Sequence, residues 1–203
     1  MDAEPELPLF PLRTVLFPGG LLTLKVFEAR YLDLIANCLR ERQPFGVIML
    51  RSGGEVRQFE EALDIETTGT LAELIDVDSE QAGILQVRCR GTQRFVIRST
   101  RRRDDGLWLG LSDPVPDDDP VAPTGTLIEA ARALASAITA LEARNTRPFL
   151  EPYRFDDAGW VANRWCEILP ITALAKQKLM ELPEPIVRLQ LIDEFLRKQG
   201  VVG

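Results

Sequence analysis

Apolar positions in the first 115 residues follow a short-strand rhythm. Leu7-Pro8-Leu9-Phe10-Pro11-Leu12 is one such run, and its two prolines, which cannot donate to a ladder, predict an edge position or an entry into a barrel. Phe17-Pro18-Gly19-Gly20 predicts a turn, and Leu21 to Val26 a strand after it. From Phe27 to Arg42 the period becomes helical, with Phe27, Tyr31, Leu34, Ile35, Cys38 and Leu39 on one stripe. Phe45 to Leu50 returns to a strand that ends at Ser52-Gly53-Gly54, and residues 64–75 and 83–113 supply more. There Leu85, Val87 and Cys89 alternate with Gln86, Arg88 and Arg90, as in a half-buried strand. Gly91-Thr92 predicts a turn, Phe95 and Ile97 resume the inward face, and Asp104-Asp105-Gly106 turns the chain into Leu107-Trp108-Leu109.

The rhythm changes after Asp113. Asp113 to Thr126 holds four prolines and three consecutive aspartates, and predicts a linker. Beyond it Leu127, Ala131, Leu134, Ile138 and Leu141 form a helical stripe. Asp156 or Asp157 can cap a helix bearing Trp160, Trp165, Ile168 and Leu169, and Thr172 precedes another from Ala173 to Leu182. Pro185 suits a first helical turn. Gly200 closes that last helix, whose Val187, Leu189, Leu191, Ile192, Phe195 and Leu196 are expected to face a core. The pattern predicts an α+β protein, a β-rich domain over 1–115 followed by a helical one over 116–203, with no internal repeat.

Charge and composition narrow the chemistry. The 203 residues carry a net charge of −7, with 14 basic and 18 acidic side chains before residue 116 and 10 and 13 after it. Neither half is a polyanion binder on bulk charge. The start, Met1-Asp2-Ala3-Glu4-Pro5-Glu6, is acidic where a secretory signal is basic, and no stretch nears eighteen unbroken apolar residues. The expectation is a cytoplasmic protein without a membrane span. Cys38, Cys89 and Cys166 lie far apart and fit reduced, packed thiols.

There is no histidine, which removes Ser-His-Asp and Cys-His catalysis and the usual zinc sites together. The four lysines, Lys25, Lys176, Lys178 and Lys198, and the serines Ser52, Ser79, Ser99, Ser112 and Ser136 form no recognisable Ser-Lys pair. Asp117-Asp118-Asp119 lacks the ligand spacing of a calcium loop and predicts solvated linker. No catalytic, cofactor or metal residue is therefore assigned. Seven arginines, Arg88, Arg90, Arg94, Arg98, Arg101, Arg102 and Arg103, are the strongest charge feature. Alternation places Arg88 and Arg90 on one outward face and Arg94 and Arg98 on a neighbouring one. They predict either an RNA-phosphate patch over residues 88–103 or, in the favoured reading, pairing with carboxylates such as Glu55, Glu60, Glu61, Asp64 and Glu66. Trp160 and Trp165 read as helix core in preference to a docking surface.

Several segments, in order, resemble the Lon protease N-terminal (substrate-binding) domain in its stand-alone form. They are Leu7 to Leu12, Leu16-Phe17-Pro18-Gly19, Val26-Phe27-Glu28-Ala29-Arg30-Tyr31, Gly69-Thr70-Leu71-Ala72-Glu73 and Gly91-Thr92-Gln93-Arg94-Phe95. Leu169-Pro170-Ile171, Lys176 to Glu181 and Arg188-Leu189 continue the likeness, which runs from about Leu7 to Leu196. Lys25 departs from it, standing where members often have histidine. The resemblance implies a PUA-like β-barrel with an inserted helix, followed by a C-terminal helical bundle. It also implies recognition of unfolded polypeptide or a specific protein partner, at an apolar groove between barrel and bundle, without catalysis. No GxxxxGK[ST] phosphate loop is present.

Overall fold

Six strands and one helix form between Leu7 and Pro114 in the computed structural model, which describes residues 4–51 and 64–203. They are β1 (Leu7–Leu12), β2 (Leu21–Val26), α1 (Ala29–Glu41), β3 (Phe45–Leu50), β4 (Ile65–Gln81), β5 (Ile84–Arg102) and β6 (Trp108–Pro114). Four helices follow: α2 (Leu127–Glu142), α3 (Ala158–Ile168), α4 (Ala173–Glu181) and α5 (Pro185–Lys198). The fold is mixed α+β, and the chain divides into two compact units, Met1–Pro116 and Asp117–Gly203.

In the first unit the strand order is β2-β5-β4-β3-β1-β6, and β6 also pairs with β5. The pairing therefore runs from β5 through β4, β3, β1 and β6 back to β5. β5 makes this possible by its length: Ile84–Arg90 lies between β2 and β4, while Phe95–Arg102 pairs with β6. β1 has partners on both sides, so the expected edge position is corrected. Its partners divide at Leu9, with Leu7–Leu9 against β6 and Leu9–Leu12 parallel to β3. Pro8 and Pro11 thus each fall where this register pairs the strand on one side only, which spares the missing N–H.

Gly91 is a second correction. It lies inside β5, not in a turn. A Cβ there would meet the Phe17 carbonyl oxygen at 2.2 Å, so its smallness is used for close approach. Gly19 N–H donates to Gly91 O at 2.8 Å, and Gly91 N–H donates to Gly20 O at 2.9 Å. With Gly19 at φ 73°, this is a β-bulge, two residues against one, whose first position needs a left-handed glycine. The predicted end of β3 at Ser52-Gly53-Gly54 lies outside the described residues.

Helix α1 buries Tyr31, Leu34, Ile35 and Cys38 against Leu24, Val26, Val87 and Cys89 of β2 and β5. Tyr31 stacks on Phe10 with ring centroids 4.0 Å apart. Phe27 and Leu39, expected on the same stripe, are exposed; Phe27 precedes the helix and so escapes its period. A smaller cluster of Leu9, Ile48 and Phe95 packs with Leu7, Ile65, Leu71, Ile97 and Trp108.

In the second unit the helix starts follow their caps. Asp157 Oδ1 accepts from Gly159 N and Trp160 N, and Thr172 Oγ1 accepts from Ala175 N, each contact stabilising by about 1 kcal/mol. Pro185 opens α5. Leu189, Ile192 and Leu196 of α5 are buried, whereas Val187 and Leu191, also expected in the core, are exposed. The 113–126 segment is more than linker: Val115 N–H donates to Arg94 O, and Val121 O accepts from Ala158 N–H.

Candidate functional site

The arginine-rich strand is mostly committed to protein partners. Arg94 is buried, with 4% of its surface exposed, and donates to Pro116 O at 3.3 Å. That corrects its outward placement. Arg98 pairs with Glu4 at 2.9 Å and Asp113 at 3.1 Å, while Arg101 pairs with Glu6 and Arg103 with Asp105. The contact with Arg103 holds the Asp105 carboxyl down at about 2. Glu4, Asp113, Glu6 and Asp105 are not among the expected carboxylates. Glu55, Glu60 and Glu61 lie outside the described residues, and Glu66 pairs with Arg51 at 3.1 Å.

Arg88 and Arg90 remain outward and exposed, opposite Asp76 and Glu73 on β4 and Thr23 and Leu21 on β2. Two arginines beside two acids are a poor phosphate track, because counterion release needs several unopposed cations. The geometry does not favour RNA over polypeptide.

The tryptophan helix is interior. Trp160 and Trp165 are buried, and Trp165 Nε1 donates to Ala130 O at 3.0 Å. Tyr153 and Phe155 lie 6.0 and 5.4 Å from Trp160 by ring centroid and close an aromatic cluster beside it. Asp118 is no solvated linker residue: its carboxylate accepts from Arg188 Nη1 at 2.7 Å. Arg188, 1% exposed, also donates to Asn163 Oδ1, Leu179 O and Leu182 O. Sequence reasoning missed this clasp because an aspartate among prolines looks solvated until its partner, 70 residues away, is known.

A second buried cation, Arg164, pairs with Glu167 at 2.7 Å. Desolvation pushes the Glu167 carboxyl up to about 7 against the opposing pull of Arg164 and Lys176. Lys176 Nζ donates to Glu167 O, and Lys178 pairs with Glu181.

Several large apolar side chains are exposed on each unit. On the first unit Phe27 is 61% exposed, and Leu39 and Ile75 are also open. On the second, Leu174 of α4 is open, as are Val187 and Leu191, one turn apart on α5. Scattered apolar side chains of this kind are ordinary on a folded surface. No helix of the described residues is long and apolar enough to cross a membrane.

A family model described as the ATP-dependent protease La (LON) substrate-binding domain matches residues 6–198. A Lon protease of Anaeromyxobacter dehalogenans is 26% identical over 211 residues, covering 98% of this chain and 24% of the relative. Lon protease 2 of Myxococcus xanthus is 37% identical over 75 residues, or 36% of this chain and 9% of the relative. The chain therefore spans about a quarter or less of these curated relatives. Among solved structures, a Lon N-terminal domain protein from Xanthomonas campestris is 32% identical with a TM-score of 0.70, covering 93% of this chain and 96% of that one. The N-terminal domain of the Mycobacterium avium complex Lon protease shares the fold at 16% identity and a TM-score of 0.63, over 94% of this chain and 97% of that one.

Proposed function

The chain belongs to the family of ATP-dependent protease La (LON) substrate-binding domains, and from that premise we propose that it recognises polypeptide and does no bond-breaking itself. The observation that carries this reading is the extent of the family match, residues 6–198 of 203. The matched region is described as a substrate-binding domain. Its partner is an unfolded segment or a specific protein, with RNA the weaker alternative.

The same reading treats the ring of pairings β5-β4-β3-β1-β6-β5 as a PUA-like barrel with α1 as its inserted helix. It treats α2–α5 as a helical bundle, with the functional division at residues 1–115 and 116–203. A cytoplasmic setting goes with it, supported by three buried, unbridged cysteines.

Capture from lysate on the immobilised protein, at low and moderate salt and with or without nuclease, tests the choice of partner. Polypeptides retained after nuclease and moderate salt are the expected result. Capture that disappears with nuclease transfers the function to RNA and overturns the proposal.

A further inference from the structure

The ladder beyond the ring leaves two open strand edges, and they differ. Among the described residues β2 pairs with β5 alone, and past Ala72 β4 also pairs with β5 alone. The β4 edge, from Glu73 to Gln81, is blunted in the way proteins prevent unwanted pairing. It carries Glu73, Asp76 and Asp78, and its register slips twice, between Leu74 and Asp76 and between Asp78 and Gln81. The β2 edge carries a single charge, Lys25, and its bulge at Gly19-Gly20 lies before the strand. Leu21 to Val26 stays in unbroken register from Leu21↔Arg90 to Val26↔Leu85.

The direction of the free groups on β2 follows from the bulge. Gly91 N–H donates to Gly20 O, so Gly20 and its alternate successors Leu22, Leu24 and Val26 bond toward β5. The N–H and C=O groups of Leu21, Thr23 and Lys25 then point away from β5. Among the described residues none of these groups has a backbone partner, and Thr23 and Lys25 are exposed.

We propose that the outer edge of β2, Leu21 to Lys25, binds an extended polypeptide segment of alternating apolar and acidic residues by adding it to the sheet as a strand. The inference rests on the polypeptide-recognition reading and gives it a location. Backbone pairing supplies sequence-tolerant affinity, and side-chain alternation supplies selectivity. Side chains of the added strand on one face lie beside Leu22, Leu24 and Val26, which pack on the apolar cluster. On the opposite face they lie beside Thr23 and Lys25, with Arg88 and Arg90 one strand further in. Lys25 is the charge nearest the added strand and favours acidic residues on that face, while Asp76 and Glu73 lie beyond Arg88 and Arg90. Phe27, at the strand's end, adds exposed apolar surface.

The test measures binding of a capped valine–glutamate alternating peptide to the full chain and to the variants Thr23→Pro and Lys25→Glu. Proline at 23 removes an N–H that points away from β5, so the ladder keeps its bonds. Each variant is expected to weaken binding about tenfold or more. The valine–lysine peptide, and a valine–glutamate peptide N-methylated along one edge, are expected to lose as much. Asp78→Lys on the blunted β4 edge serves as the control and is expected to bind as the parent does. Wild-type affinity in both variants, or for the N-methylated peptide, overturns the proposal. So does self-association that Thr23→Pro abolishes, which assigns the edge to a second copy of the chain. A reduced, carboxymethylated protein separates the two readings. If it binds parent and variants alike, the edge is wrong and polypeptide recognition stands; if it does not bind the parent, both fall.

Discussion

In the strand-rich unit Glu66, Thr70 and Arg94 are buried polar side chains beside large apolar clusters around α1 and Phe95, whereas the smaller helical unit buries Asn163, Arg164, Gln177, Arg188 and Asp193. The reason lies in where each unit leaves its backbone groups. A ladder consumes N–H and C=O groups along its whole length. Short helices leave their last carbonyls open, and in α4, nine residues long, those are a large share of the total. Arg188 answers this by donating to Leu179 O at 2.9 Å and Leu182 O at 2.5 Å, with Asp118 and Asn163 balancing its charge and remaining donors. The helical unit is thus held by a polar clasp, and the strand unit by close packing around glycines.

The sharpest way to break this contrast is Arg188→Met. Removing one partner of a buried pair strands the other, and about 3–5 kcal/mol of stability should go from the helical unit. Unfolding followed by tryptophan fluorescence checks this, since Trp160 and Trp165 lie in that unit and Trp108 in the other. A loss under about 1 kcal/mol would refute the clasp.

In the strand unit the corresponding change is Gly91→Val, whose Cβ has no room beside the Phe17 carbonyl. It should cost about 2–3 kcal/mol. Gly19→Ala, which strains a left-handed position, should cost about 1–2 kcal/mol. Equal effects would show that bulge strain, not close approach, dominates.

The pH response sharpens the comparison further. Glu167 holds its proton more tightly folded than unfolded, with a folded value of about 7 against an ordinary 4.5. Its contribution is full below about 4.5 and is lost as pH climbs through about 7. Arg164 and Lys176 are the cations facing it. Thermal unfolding of the helical unit should fall across that window, and Glu167→Gln should flatten the fall. An unchanged slope would contradict the assignment. Least is expected of Arg98→Ala: its pairs with Glu4 and Asp113 are exposed, and the unfolding midpoint should barely move.

Elements marked by a short-range pattern were readable from the chain even where their partners are distant. Strand β3 at Phe45–Leu50, strand β2 at Leu21–Val26, the Asp157 cap and the Pro185 start all follow from short-range pattern. Gly91 misled because a Gly-Thr pair reads as a turn unless the carbonyl approaching it, 74 positions earlier, is known. Strand β4 outran its expected end at 75 because Asp76-Val77-Asp78 still alternates on a hairpin that only tertiary pairing with β5 sustains. Charge alone places Arg94 and Asp118 at the surface; the burial of Arg94 and the pairing of Asp118 depend on partners far along the chain. The arginine reading chose pairing over RNA, yet the described partners of Arg98, Arg101 and Arg103 come from the N-terminal segment, β6 and the turn before it.

The most direct measurement is the affinity of the purified, nuclease-treated protein for a reduced, carboxymethylated polypeptide and for the same polypeptide in its native fold. The account predicts saturable binding of the unfolded form that survives moderate salt, with the folded form bound far more weakly. Equal affinity for both forms, or none for either, would contradict recognition of unfolded polypeptide.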